Sequence, residues 1–549
     1  MLKKLLWGML LTVSCFQYAN AVGVDYDNRS IAMAFAGEPP DLNSTTSTDS
    51  ISFMVLTHVM EGLMSYDQNN NLVGGVAEKW QLREDGATFW LRKDARWSNG
   101  EPVTAHDFVF AWRKVVDPAN ASEYAFILYP VTNSQAINEG KLAPEALGVR
   151  ALDDHTLEVD LFQPCPYFLG LTAFGVLNPV NQAFYESRNG RYAADVEDML
   201  YNGPFQLTEW VHGASLKMEK NGHYWNRDSI WLNTIDVPYI TEDANARLNL
   251  YRDGMTAIAN GLNEQALIGA MRERMQIKTF FDGAIFFIEF NQRPDRATRS
   301  KYLRKAIQSV LNTEDLVYKV IGSPGTYPVN TIFPRWMKGV EDNFVREYPP
   351  TKVEFDVELG RRYLDMAKQE LGVDVIPPIT LLADDSPGGS KTSEYFQAML
   401  KQHLDLDVRV DAQIFKQRLA KMSVGDFDLV VSGWGPDYED LLTYGDLFLS
   451  KNLNNRGRYA SEEYDHWVAV AQSSLEPEVR AEAFANMQRL IYEDAIIVPL
   501  FERGVTYVQN TRLRDVVRRP IGGDPNFKFA YIEPPESADQ RVKHSEAQQ

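Results

Sequence analysis

Two lysines, Lys3 and Lys4, stand ahead of an apolar run from Leu5 to Phe16, and Ala19-Asn20-Ala21 follows it. That is the layout of a secretory leader with an A-x-A cleavage site, so the sequence predicts cleavage after Ala21 and delivery to the periplasm. The run is about a dozen residues, too short for a membrane-spanning helix, which needs roughly 20. Cys15 suggests a lipid anchor, but Thr12-Val13-Ser14 lacks the leucine-rich approach of such sites, and Ala19-Asn20-Ala21 fits better. The leader constrains the fold because Cys15 leaves with it. Cys165 is then the only cysteine, and no internal disulfide can form despite an oxidising destination. Stability has to come from buried apolar surface. Removing 21 of the 549 residues leaves 528, enough for two to four cores at roughly 100–200 residues per domain.

The charge balance narrows the partners. The formal charge moves from −20 to −22 once Lys3 and Lys4 are gone, which disfavours a polyanion held through its phosphates, so no nucleic-acid partner is expected. After the leader there is no 18-residue apolar run, so membrane contact is expected only through a partner protein. Cys165, in Phe162-Gln163-Pro164-Cys165-Pro166-Tyr167, reads as a small packed hydrophobe.

Short strand-like runs alternate with amphipathic helices, and no Pro/Ser-rich linker or internal repeat cuts the chain. This is mixed α/β, with domains built from non-consecutive segments. Ile31–Phe35, Thr88–Leu91 and Thr156–Leu161 read as strands bounded by Gly, Asp or Asn. Thr104 reads as the N-cap of a helix through Trp112, with Asp107 three residues on. Glu478–Tyr492 reads as a helix behind Pro477 that delivers the chain into a buried strand, Ile496–Leu500. Phe427–Trp434 reads as a strand ended by Gly435 and Pro436. Asp437, just past that strand end, is well placed to face a cleft.

Catalytic constellations are absent from the sequence. There is no H-E-x-x-H and no G-x-S-x-G, and the eight histidines show no metal-ligand spacing. Lone histidines such as His58 and His106 read as packed or surface residues. Ser386-Pro387-Gly388-Gly389-Ser390-Lys391-Thr392 ends like a phosphate-binding loop but lacks the first glycine at the required spacing, and reads as a surface turn. No cofactor, metal or enzymatic activity is expected.

One resemblance runs the length of the chain. Asn71–Trp80, then Phe89–Phe108 with its Trp97-Ser98-Asn99-Gly100-Glu101-Pro102, resemble the family 5 extracellular solute-binding proteins, the peptide receptors of ABC importers. Further matches follow in order: Leu147-Gly148-Val149 with Asp153-Asp154-His155, then Asn202-Gly203-Pro204-Phe205, His223-Tyr224-Trp225, Phe290-Asn291-Gln292, and Gly433-Trp434-Gly435-Pro436-Asp437-Tyr438.

The resemblance implies an α/β fold like the type II periplasmic binding proteins, with three lobes and a ligand cleft closed by a hinge. Carried over, residues 1–21 are the leader, 22–60, 185–285 and 505–549 form lobe I, 61–184 lobe II, and 286–504 lobe III. It implies a monomeric receptor that captures a short peptide and delivers it to an inner-membrane ABC permease. The peptide ammonium falls to Asp437, and its backbone adds as a strand against Gly433-Trp434-Gly435 and Thr48-Asp49-Ser50, a pairing indifferent to side-chain identity. Tyr124, Asn454, Phe415, Phe287 and Glu289 are the other ligand positions it implies. The sequence departs from the family where the ligand carboxylate is met: Val431 and Met422 replace basic residues, Gly388-Gly389 a histidine region, and Pro436 lacks a backbone donor. Lys421, Arg418, Arg456 and Arg458 are candidate substitutes. The alternatives are the same fold holding a cell-wall peptide, an antimicrobial peptide, haem or a metal chelate, or a peptidase with a site that no motif marks.

Overall fold

The computed structural model describes residues 22–535, so the leader, its cleavage site and Cys15 lie outside the described residues. Three main sheets organise the chain. Five strands pair in the order Val24–Asp25, Ser30–Phe35, Thr234–Ile240, Ser215–Lys220 and Phe205–Val211. Ser30–Phe35 is parallel to Thr234–Ile240, so the chain leaves this sheet and returns to it after an excursion. The excursion carries an antiparallel sheet of four strands, Ala77–Arg83, Gly86–Leu91, Thr156–Asp160 and Val149–Asp153. Seven strands make the third, in the order Ile258–Asn260, Ile497–Gln509, Ile277–Phe290, Leu429–Trp434, Ile379–Asp384 and Val408–Gln413, with Tyr327–Pro328 also on Ile497–Gln509. Ile277–Phe290 and Ile497–Gln509 run unbroken through positions 285/286 and 504/505.

Local sequence explains these elements. Ile31 to Phe35 are all buried, which is why that strand reads as a continuous apolar run without alternation. The helix Ala105–Val116 starts at Thr104, whose backbone N–H donates to the Asp107 carboxylate at 2.7 Å. The helix Pro477–Glu493 opens on its proline and leads into Ile497–Gln509. In Ile277–Phe290 the pairing register shifts between Phe281 and Ile285 around Gly283, at φ +75°, a backbone that side-chain-bearing residues rarely adopt.

Ser386-Pro387-Gly388-Gly389 departs from its reading as a surface turn. Ser386 caps the helix Pro387–Leu404, its hydroxyl accepting the Gly389 N–H at 3.1 Å, and proline occupies the first helical position. Proline is favoured there because the missing N–H has no intrahelical partner to lose.

Burial takes the place of cross-links. One apolar cluster runs from the five-stranded to the four-stranded sheet and includes Trp97, Trp112, Phe168 and Phe333. A second, around Ile288, Phe290, Leu303, Leu381 and Leu500, lies on the seven-stranded sheet. Cys165 is buried in the first, and burial pushes its thiol up to about 12, so it packs as an inert small side chain. No described helix is long and apolar enough to cross a membrane.

Candidate functional site

The strand Leu429–Trp434 is paired unequally on its two edges. One edge meets Ile277–Phe290 along its whole length, from Trp434 opposite Ile285 to Leu429 opposite Phe290. The other meets Ile379–Asp384 only at Leu429 and Val430. From Val431 to Trp434 that second edge has no strand beside it among the described residues, and Gly433 is exposed. An open edge of this kind is a template for one more strand.

Gly435 and Pro436 end the strand and turn the chain inward to Asp437. The Asp437 backbone N–H donates to Thr443 Oγ1 at 3.0 Å, and its carboxyl accepts the Tyr124 hydroxyl at 3.0 Å. No lysine, arginine or histidine among the described residues pairs with it, and burial pushes its carboxyl up to about 8. Desolvation disfavours the charged form, and no protein cation offsets that penalty. Tyr124 is itself 3% exposed. Its ring lies edge-on to Phe53 and Phe174, stacks on Phe126 and tilts against Trp434 at 6.0 Å. Beside Asp437 is a space of about 60 Å³, room for little more than one or two waters at about 30 Å³ each. Lys528 and Arg519 border it, but Lys528 pairs with Glu61 at 2.9 Å and Arg519 lies over the Tyr66 ring. Trp434 Nε1 is buried with no hydrogen-bond partner.

Asn454 belongs to a bridge between two regions of the molecule. Its amide donates to the Glu123 carbonyl at 3.1 Å, while Arg456 and Ser423 donate to the Glu123 carboxylate at 2.6 and 2.8 Å. Phe287 and Glu289 lie in the interior. Phe287 packs edge-on to Phe448, and Glu289 accepts the Gly457 N–H at 2.5 Å, with burial pushing its carboxyl up to about 7. Phe415, half-buried, opens the helix Phe415–Val424 and lies under the Arg418 guanidinium. In Thr48-Asp49-Ser50, Asp49 is the N-cap of the helix Ser50–Val59, accepting the Ile51 and Ser52 N–H groups at 3.0 and 2.9 Å. Asp437, Tyr124 and Trp434 therefore converge at one place, while Phe287 and Glu289 lie apart from it.

A larger cavity of about 550 Å³ opens between Met33–Ala36 and the seven-stranded sheet. Val431 and Phe286 form part of its wall, and Gly388 and Gly389, in the first turn of Pro387–Leu404, form another part. None of the four substitute cations named from the sequence lines it. Three of them are bound to acids of the protein: Arg418 to Asp384 at 2.6 Å, Lys421 to Asp411 at 2.6 Å and Arg456 to Glu123. The cations on its wall are Arg247, Lys391 and Arg503; the sequence marks Lys391 only as part of a surface turn and does not mark the other two. The available signal was Glu502-Arg503, two charges inside an otherwise apolar strand. Among the described residues no cluster of His, Cys, Asp or Glu side chains is placed to hold a metal ion. A buried acid without a cation, an open strand edge and a roomy cavity together suit a ligand that brings its own ammonium and backbone.

Known proteins match nearly the whole chain in sequence and fold. The family model described as "Bacterial extracellular solute-binding proteins, family 5 Middle" matches residues 71–456. The oligopeptide-binding protein OppA of Bacillus subtilis (strain 168) is 29% identical over 504 residues, covering 90% of this chain and 91% of that protein. The periplasmic murein peptide-binding protein MppA of Escherichia coli (strain K12) is 28% identical, covering 85% and 86%. The structure of Listeria monocytogenes OppA bound to peptide superposes with a TM-score of 0.87 at 29% identity, over 92% of this chain and 100% of that one. The chain belongs to the family 5 bacterial extracellular solute-binding proteins and has their type II periplasmic binding protein fold, a binding protein and not an enzyme.

Proposed function

We propose that this chain is a periplasmic receptor that captures a short peptide and delivers it to an inner-membrane ABC permease. The observation that carries the reading is Asp437: a buried carboxyl, propped by Tyr124 and lacking a cation, beside the open edge of Leu429–Trp434. Burying a peptide requires a partner for its ammonium and for its row of backbone groups. Asp437 supplies the first. The edge from Val431 to Trp434, with Gly433 leaving the approach clear, supplies the second, and the unpartnered Trp434 Nε1 is a donor for a ligand carbonyl. The peptide cargo named for OppA and MppA supports this reading.

In this proposal the leader is removed after Ala21, and the mature protein works as a monomer of three lobes. Lobe I comprises 22–60, 185–285 and 505–549, of which 536–549 lie outside the described residues, lobe II comprises 61–184, and lobe III comprises 286–504. The hinge lies in Ile277–Phe290 and Ile497–Gln509, the strands that cross between lobes I and III. The test compares peptides with free and acetylated amino termini on Asp437→Asn: selective loss of the free-amino set is expected, and equal loss of both sets removes Asp437 from this role. Mass spectrometry of ligand released from the purified protein identifies the cargo, and recovery of haem or a metal chelate in place of peptide overturns the proposal.

A further inference from the structure

Ile497–Gln509 is an almost wholly buried strand interrupted by two charges. Glu502 is 2% exposed and is answered by Arg335 at 2.9 Å. Arg503 points the other way, into the 550 Å³ cavity. Its Nε donates to Asp282 Oδ2 at 2.7 Å and its Nη2 reaches the same oxygen, whereas Nη1 has no hydrogen-bond partner among the described residues. Asp282 is held in turn by the Ala284 N–H at 3.0 Å. The guanidinium lies over the Phe286 ring, 5.1 Å from its centroid, and Phe286 stacks on Phe501. Phe286 is also the side chain against Gly433, where an added Cβ would approach its ring to 3.0 Å. Gly433, Phe286 and Arg503 thus form a continuous series from the open strand edge into the cavity.

The other charges around this space are committed. Asp384 pairs with Arg418, Asp524 with Arg518 at 2.9 Å, and the exposed Lys391 with Glu264 at 3.5 Å. Arg247 donates to the carbonyls of Thr241, Asn260 and Gly261 and has no acid partner. Each acid on the wall is thus matched by a cation, and Arg247 is the one wall cation that makes no ion pair among the described residues.

We infer that Arg503 receives a carboxylate of the bound ligand, with Asp282 and Phe286 fixing the guanidinium so that Nη1 faces it. This rests on the peptide reading with the ammonium at Asp437. Across the shared strand Ile277–Phe290, Phe501 stands level with Gly433 and Glu502 with Trp434, so Arg503 lies beside the Gly435 end of the open edge and the carboxylate it receives falls within the first four ligand residues. The ligand class is a short peptide ending there, or a longer one with Asp or Glu there. A planar fork suits a carboxylate better than a point charge does.

The test uses full-length mature protein and calorimetry with tri- and tetra-alanine as free acids, as amides, and as amides with Glu at position three or four. Wild type is expected to bind free acids about tenfold or more tighter than the plain amides. Arg503→Gln is expected to close that gap with amide binding changed less than about twofold, and Arg503→Lys, which keeps a cation opposite Asp282, to retain part of it with an unaltered melting temperature. If Glu in an amide restores the gap, the site reads a side chain; if it does not, the site reads the terminus, and both results support the assignment. Equal binding of acids and amides by wild type, or equal weakening of both by Arg503→Gln, overturns it while leaving the peptide reading intact. Binding of no peptide at all overturns both.

Discussion

The two ends of the cleft solve opposite problems. Around Asp437 the space is about 60 Å³, Phe53 and Phe174 are among its walls, and the carboxyl is held by hydroxyls and pairs with no cation. Around Arg503 the space is about 550 Å³, and nearly every charge is already partnered inside the protein. A group left unsatisfied in a dry pocket is costly until its partner arrives, so the first end is selective for one chemistry. Charges neutralised in advance impose little penalty when a site stays unfilled, so the second end discriminates less steeply than the first. A receptor that reads the common feature of all peptides tightly, and their differences loosely, needs both.

The largest effect is expected at the strict end. Breaking a buried ion pair from one side costs about 3–5 kcal/mol, so Asp437→Asn should weaken free-amino peptides by roughly two to nearly four orders of magnitude by calorimetry. A loss under about tenfold would erase the contrast between the ends. Next is pH. The empty-site carboxyl at about 8 must lose its proton to pair with an ammonium, so binding releases a proton. Affinity should therefore fall about tenfold per unit as pH drops below 8, and decline again above it as a ligand amine of pKa about 7.7–8.0 is neutralised. Asp437→Asn should flatten the acid limb, and a flat wild-type profile would show that the carboxyl is ionised before ligand arrives. Third, Tyr124→Phe removes a hydroxyl donor to Asp437, and hydrogen bonds to charged groups are worth about 1.5–3 kcal/mol, so a loss of about tenfold or somewhat more is expected. The smallest effect is on the empty protein. A carboxyl whose folded pKa is raised loses stability as pH climbs from about 4 to about 8, so Asp437→Asn should raise the ligand-free melting temperature by a few degrees at pH 8 and hardly at all at pH 4. Equal shifts at both pH values would mean that the penalty is steric.

The strict end was far more legible in the sequence than the tolerant one. Gly433-Trp434-Gly435-Pro436-Asp437 announces itself locally, because an apolar strand cut by Gly and Pro with an acid beyond has few other readings. The Thr104 and Pro477 helix starts were readable for the same reason: capping is short-range chemistry. Tyr124 lies 313 positions from Asp437, and only the family resemblance connected them. The tolerant end is assembled from segments near 33, 260, 383 and 503, and no local pattern shows that such pieces share a wall. The choice of Lys421, Arg418 and Arg456 failed on this point, since sequence spacing cannot show that each already has an acid partner. Ser386-Pro387 was misread as a turn because the same two residues serve to begin a helix.

The bridge at Glu123 has a consequence for measured affinity. Its carboxylate and carbonyl take bonds from Ser423, Arg456 and Asn454, and all three are made within the chain, with no ligand participating. On the proposed hinge these bonds give the closed form a free energy of its own, and the fraction of empty molecules already closed multiplies the intrinsic affinity for every cargo alike. At about 1.4 kcal/mol per factor of ten, a change at Glu123 then acts as a common gain setting: it rescales binding of all peptides together and leaves their ranking to the contact proposed at Arg503.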